Sequence, residues 1–93
     1  MKVRDWNRIK VGTLLIVTWI DTTEILEWIP DEEAQDCQPA MCKTVGWFVN
    51  DDKDSIRLTW SVAEDGDKSI GVIPKGCIKD VKYISYKQRQ EKK

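Results

Sequence analysis

Two kinds of hydrophobic pattern run along this chain, one alternating and one continuous, and both point to β-structure. Residues 55–62 alternate strictly, with Ile56, Leu58, Trp60 and Val62 on one side and Ser55, Arg57, Thr59 and Ser61 on the other. Successive side chains of a strand point to opposite faces, so this period of two predicts a half-buried strand with its apolar set in the core. Residues 13–20 (Thr-Leu-Leu-Ile-Val-Thr-Trp-Ile) are apolar on both sides, rich in β-branched and aromatic residues, and bounded by Gly12 and Asp21. That composition predicts a strand covered on both faces. Runs at 44–49, 69–73 and 78–84 bring the strand count to five, and the polar links 50–54 and 64–67 predict tight hairpins.

The stretch 21–43 is the least regular. Thr22 or Thr23 is placed to cap a helical turn through Glu27, and Pro30 followed by Asp-Glu-Glu predicts the start of another. Ile25, Leu26, Trp28 and Ile29 are the apolar side chains available to anchor this long connection to the rest of the molecule. Of the five tryptophans, Trp19 and Trp60 fall on faces expected in the core, whereas Trp6 and Trp28 lie outside the strands, where packing against the barrel and exposure to a partner are both open. The chain divides into a polar lead-in (1–12), a single domain (13–86) and a basic tail (87–93) that has no apolar anchor and is expected to be disordered in isolation. Five short strands, one long and partly helical connection after the first, and two hairpins predict a mostly β fold. The expected form is a small barrel, because closing the sheet removes its exposed edges.

The segment Gly71-Val72-Ile73-Pro74-Lys75-Gly76-Cys77-Ile78 resembles the link between the last two strands of SH3-like barrels. There a glycine, an apolar pair and a proline precede one 3₁₀ turn and a β-branched residue; proline suits the site because it fixes φ and brings no N–H to the ladder. The resemblance implies a long loop at 21–43, a second loop at 50–54 and a distal hairpin at 64–68. SH3 domains that grip proline-rich peptides use tyrosines in and after the first strand, a tryptophan opening the third, and a tyrosine in the 3₁₀ turn. This chain has Cys77 at that turn and Ser55 or Ile56 where the tryptophan would stand, so proline-rich binding is not carried over. In general character the chain also resembles small phage and prophage proteins, which implies an accessory role in the host cytoplasm.

Composition narrows function mostly by exclusion. With 93 residues the chain supports one small core. Histidine is absent, which removes the commonest general base and metal ligand together. No nucleophile–base spacing and no glycine-rich phosphate loop occurs, and the carboxylates of Asp31-Glu32-Glu33 and Asp51-Asp52 fall in predicted loops without an apolar wall, so no enzyme activity and no cofactor are expected. Cys37 and Cys42 have a spacing compatible with zinc or a disulfide, and Cys77 could add a third sulfur; no fourth ligand is evident, and free thiols in a reducing, cytoplasmic setting are the expectation. No signal-peptide pattern or bilayer-length apolar stretch is found.

The net charge is −1, but its distribution is uneven. Between positions 21 and 36 stand Asp21, Glu24, Glu27, Asp31, Glu32, Glu33 and Asp36 with no basic residue, whereas both ends of the chain are basic. An acidic connection carrying a tryptophan is a candidate interface, since tryptophan is a frequent anchor and its ring attracts cations. The expected partner-binding residues are therefore Trp28, Glu27, Glu32 and Trp47, lining a groove between the long connection and the second loop, with a protein partner or a second copy as ligand. The alternative is nucleic-acid or nucleotide binding through Lys79, Lys82, Tyr86, Lys87 and Arg89, by stacking and phosphate contact. A pI near 5.4 weighs against it.

Overall fold

The computed structural model describes residues 5–85. They form a five-stranded antiparallel sheet: β1 (Leu14–Asp21), β2 (Ala40–Asp51), β3 (Ser55–Thr59), β4 (Gly71–Pro74) and β5 (Ile78–Tyr83), in the spatial order β4-β3-β2-β1-β5. A 3₁₀ turn, Trp6–Arg8, precedes β1; a short helix, α1 (Asp31–Gln35), sits in the β1–β2 connection; a second 3₁₀ turn, Lys75–Cys77, joins β4 to β5. Thus the mostly β expectation, the helical start after Pro30 and the turn after Pro74 are all met.

The barrel is not. β4 and β5 occupy the two ends of the sheet order and do not pair, so the sheet stays open. The segment expected to close it is short. β4 has only four residues, all of them partnered with β3 (Ser55↔Pro74 through Leu58↔Gly71), and the chain passes at once into the 3₁₀ turn. Proline brings no N–H to the ladder at its end.

The core lies on one face and is built from Leu15 and Val17 of β1, Phe48 of β2, Ile56 and Leu58 of β3, Ile73 of β4 and Val81 of β5, with Trp19 and Ile78 partly buried at its margin. Leu15, Val17, Ile56, Leu58 and Val81 are fully enclosed. Each such side chain contributes about 1.5–3 kcal/mol by leaving water. Trp19 extends the core toward β2, where its indole Nε1–H donates to Thr44 Oγ1 at 3.0 Å.

Trp6, from the polar lead-in, belongs to this core. It is buried with Ile9, and its ring stacks on Phe48 at 6.3 Å between centroids. Asp5 accepts from the Asn7 N–H at 3.1 Å and caps the turn that aims Trp6 inward. Lys75 lies across the opening: its Nζ is 2.7 Å from Asp51 Oδ2 and 6.0 Å from the Trp6 centroid, while its backbone N–H donates to the Asp54 carbonyl at 2.8 Å.

Trp60 moves the other way. β3 ends at Thr59, which is itself buried, so the strict alternation read from the sequence breaks there. Trp60 is half exposed and lies over Gly71; a Cβ at Gly71 would stand 2.5 Å from its ring. Val62 is likewise exposed. The 64–67 turn forms as expected, with Gly66 at φ 94° and a single bridge between Val62 and Lys68.

Four further expectations change. No helical turn forms at Thr22–Glu27, and of the four supposed anchors Ile25, Leu26 and Trp28 are exposed, with Ile29 alone partly buried. β2 begins at Ala40, so the loop is shorter and the β1–β2 ladder longer than the sequence suggested. The outer face of β1 (Leu14, Ile16, Thr18, Ile20) is half-buried rather than covered. The basic tail lies outside the described residues.

The β2–β3 hairpin is fastened by Asp52. Its Oδ1 accepts from the Asp54 and Ser55 N–H groups, both at 2.9 Å, and its Oδ2 meets Arg57 Nη2 at 2.6 Å. These donors favour the carboxylate and hold its pKa at about 2, below the ordinary 3.8, the Asp54 N–H contributing most. A depressed folded-state pKa stabilises the fold above the ordinary value, and that contribution fades as pH falls through about 2. The stability gap between wild type and Asp52→Asn in urea melts is accordingly expected to narrow as pH falls from 3.8 toward 2, and a carboxyl ¹³C titration to place the Asp52 midpoint near 2.

Two glycines make a paired prediction. A Cβ at Gly46 would meet the Thr59 carbonyl oxygen at 2.9 Å and Leu58 Cβ at 3.2 Å, both fixed by the β3 ladder, whereas at Gly71 it meets only the half-exposed Trp60 ring. Gly46→Ala is expected to destabilise by about 1–3 kcal/mol, an overpacking effect. Gly71→Ala should cost less, and Trp60→Ala should relieve it. A double-mutant cycle by denaturant unfolding checks both.

Candidate functional site

The β1–β2 ladder ends at the rung Asp21↔Ala40, and residues 22–39 leave the sheet from there as a projecting strap. Asp21 Oδ1 accepts from the Thr22 N–H at 2.8 Å and sets its departure. At the far end α1 makes a single turn, with the Ala34 N–H donating to the Pro30 carbonyl at 3.0 Å. Asp31, Glu32 and Glu33 occupy its first turn, where carboxylates suit the exposed N–H groups. Cys37 closes the turn, its N–H donating to Ala34 O and its thiol to Glu33 O at 3.3 Å. The two legs then run close together, enclosing an open cavity of about 260 Å³ lined by Thr22, Thr23, Ile25, Cys37, Gln38 and Pro39.

No residue of this strap is buried. Trp28 has 103% relative exposure and Leu26 82%, values that leave neither a packing role. Between and beside them stand Glu24 and Glu27, also exposed. An exposed indole and isobutyl group flanked by carboxylates can bind apolar surface edged with cations.

The expected groove does not form. Trp28 belongs to the strap, but Trp47 pairs with Leu14 at the opposite end of the ladder, seven rungs from Asp21, a separation of about 24 Å along the strand. Glu27 and Glu32 remain with Trp28 on the strap. Trp47 instead borders an open apolar cavity of about 230 Å³ with Val11, Val49, Thr59 and Val62.

A second exposed apolar surface was not expected from the sequence. On the outer face of the sheet, opposite the core, the cross-strand rows are Leu14–Trp47, Ile16–Val45, Thr18–Lys43 and Ile20–Met41. β5 adds Lys82 beside Ile16 and Asp80 beside Thr18. Met41 (62%) and Val45 (49%) are open to solvent. The signal was present in the alternation Met41, Lys43, Val45, Trp47, but it emerges only once β2 is extended back to Ala40.

Of the residues expected to meet nucleic acid, Lys79 and Lys82 are exposed on β5, with Asp80 between them; Lys79 is the residue left without a partner by a bulge opposite Thr18 and Trp19. Tyr86, Lys87 and Arg89 lie outside the described residues. Cys37, Cys42 and Cys77 are free thiols, on the strap, on β2 and in the second 3₁₀ turn respectively. Among the described residues no cluster of three potential ligands could hold a metal ion, and no helix is long and apolar enough to cross a membrane. No protein-family model, no curated protein and no solved structure matches the chain.

Proposed function

We propose that the chain is a non-catalytic binding module whose contact surface is the strap, with Leu26 and Trp28 as anchors and Glu24 and Glu27 as the charged rim. The observation that carries this reading is the complete exposure of Trp28 in a segment that contributes nothing to the core. Tryptophan is among the commonest anchors of protein interfaces, and a buried indole removes about 150–250 Å² from water. The carboxylates select a partner that is basic around an apolar centre.

We also infer an SH3-like architecture for the sheet. It is supported by β1 standing between β2 and β5, by the long connection falling after β1, and by the 3₁₀ turn at Lys75–Cys77.

The test uses ¹H–¹⁵N spectra of the full chain, with the Trp28 indole signal assigned through Trp28→Phe. A twelve-residue peptide of alternating Lys and Leu is expected to shift the Trp28 indole while leaving that of buried Trp6 in place. A twenty-nucleotide single-stranded DNA that shifts Lys79 and Lys82 with Trp28 unmoved overturns the reading in favour of nucleic acid. A Trp28 signal that moves with neither the peptide nor protein concentration also overturns it.

A further inference from the structure

The partner of the strap can be named from the other unoccupied surface of the same molecule. The outer face of β1 and β2 presents Ile16, Ile20, Met41 and Val45 as apolar positions on either side of the Thr18–Lys43 row, with Lys82 and Asp80 of β5 along one edge. Neither lysine forms an ion pair among the described residues. The strap presents the complement: Ile25, Leu26 and Trp28 apolar, Glu24 and Glu27 acidic, all exposed. Apolar area meets apolar area, and two carboxylates meet two ammonium groups.

Length also fits. The stripe runs from the Ile20–Met41 row to the Leu14–Trp47 row, six residue steps along β1, or about 20 Å. Thr22 to Trp28 is the same number of steps, and extended chain covers about 3.3–3.6 Å per residue. Within one molecule the contact is not made, because Trp28 is fully exposed and the face is open. The strap departs next to the Ile20–Met41 row, where the stripe begins, so a two-fold axis near that end lets each copy lay its strap along the other's sheet. An isologous pair of this kind satisfies both surfaces at once and closes without forming a filament.

From these observations, and resting on the strap being the binding surface, we propose that the chain forms a two-fold dimer by reciprocal docking of the strap of one copy on the outer β1–β2 face of the other. Glu24 and Glu27 face Lys43 and Lys82 in that contact, and Trp28 and Leu26 cover Ile16, Met41 and Val45.

Sedimentation equilibrium of the full chain at low salt is expected to give twice the 10.8 kDa chain mass. Trp28→Ser is expected to raise the dissociation constant about tenfold or more, as loss of an interface anchor does. Reversing charge on either side alone, by Glu24→Lys with Glu27→Lys or by Lys43→Glu with Lys82→Glu, sets like charges together in both contacts and should likewise dissociate the pair. Mixing the two reversed chains restores opposite charges in both contacts, so the mixture should recover the dimer mass. All these positions are exposed, and circular dichroism should show the fold kept. A wild-type chain that stays monomeric at every concentration overturns the second copy as the occupant, while a peptide-induced shift of Trp28 would leave the strap reading intact. A dimer equally tight in the wild type and all three variants, or no recovery on mixing, also overturns this contact.

Discussion

The sheet turns on a close approach at Gly46. β2 is a twelve-residue strand that serves two partners in succession: residues 40–47 pair with β1, and residues 47–51 with β3. Where the change occurs, β3 crosses so near that a side chain at position 46 would strike the Thr59 carbonyl and Leu58 Cβ. Glycine permits the crossing, and a register shift between Phe48 and Asn50 follows it. Bulges of that kind sharpen local twist. The coiled sheet thereby brings Ile56, Leu58 and Ile73 over Leu15, Val17 and Val81 and encloses a core on one face without closing the hydrogen-bonded ring.

An open sheet needs something other than strand pairing at the mouth of its core. Trp6 provides it, stacked on Phe48 and overlaid by Lys75, which is itself held by Asp51 and by the Asp54 carbonyl. The Asp51–Lys75 pair is about three-quarters or more shielded from solvent at both side chains. Shielding strengthens the attraction and raises the desolvation penalty together, so its main effect is to fix where the second 3₁₀ turn sits rather than to add much stability. Position, more than energy, is what β5 requires. It begins at the next residue and must reach β1 in register.

Much of this was legible in the residues. The five strands, the helical start at Pro30, the Asn50–Asp54 and Glu64–Asp67 turns and the break after Pro74 follow from local period and turn chemistry, which act over a few residues. What was not legible depends on contacts distant in sequence. Trp60 continues the alternation of β3 flawlessly, yet the strand stops at Thr59 and the ring comes to rest over Gly71. Trp6 stands in a polar lead-in, and its burial comes from residues distant in sequence, Phe48 and Lys75 among them. For the strap, the acidic run and Trp28 were plain, but apolar residues in a connection are ordinarily pinned to the core. That they are not pinned here is a tertiary fact.

That exception bears directly on function. A small domain has a modest stability margin, and ordering a connection costs roughly 1–2 kcal/mol per residue in backbone entropy. Residues 22–39 recover little of that cost inside one molecule: no side chain is buried, and the local bonds are those of one helical turn and its ends and of Thr22 to Asp21. Ile25, Leu26 and Trp28 could have been exchanged for polar residues with no loss to the core. In the proposed reading, their apolar area leaves water only on contact with another surface. A face with apolar rows, Lys43 and Lys82 exists on the same chain, and the strap is long enough to reach it in a second copy. On this view the open sheet and the projecting strap are two consequences of one design. The β1–β2 ladder runs past the core at its Asp21↔Ala40 end, where the strap leaves it, and the rest of the same ladder backs the core with the outer face that the strap of a second copy would cover.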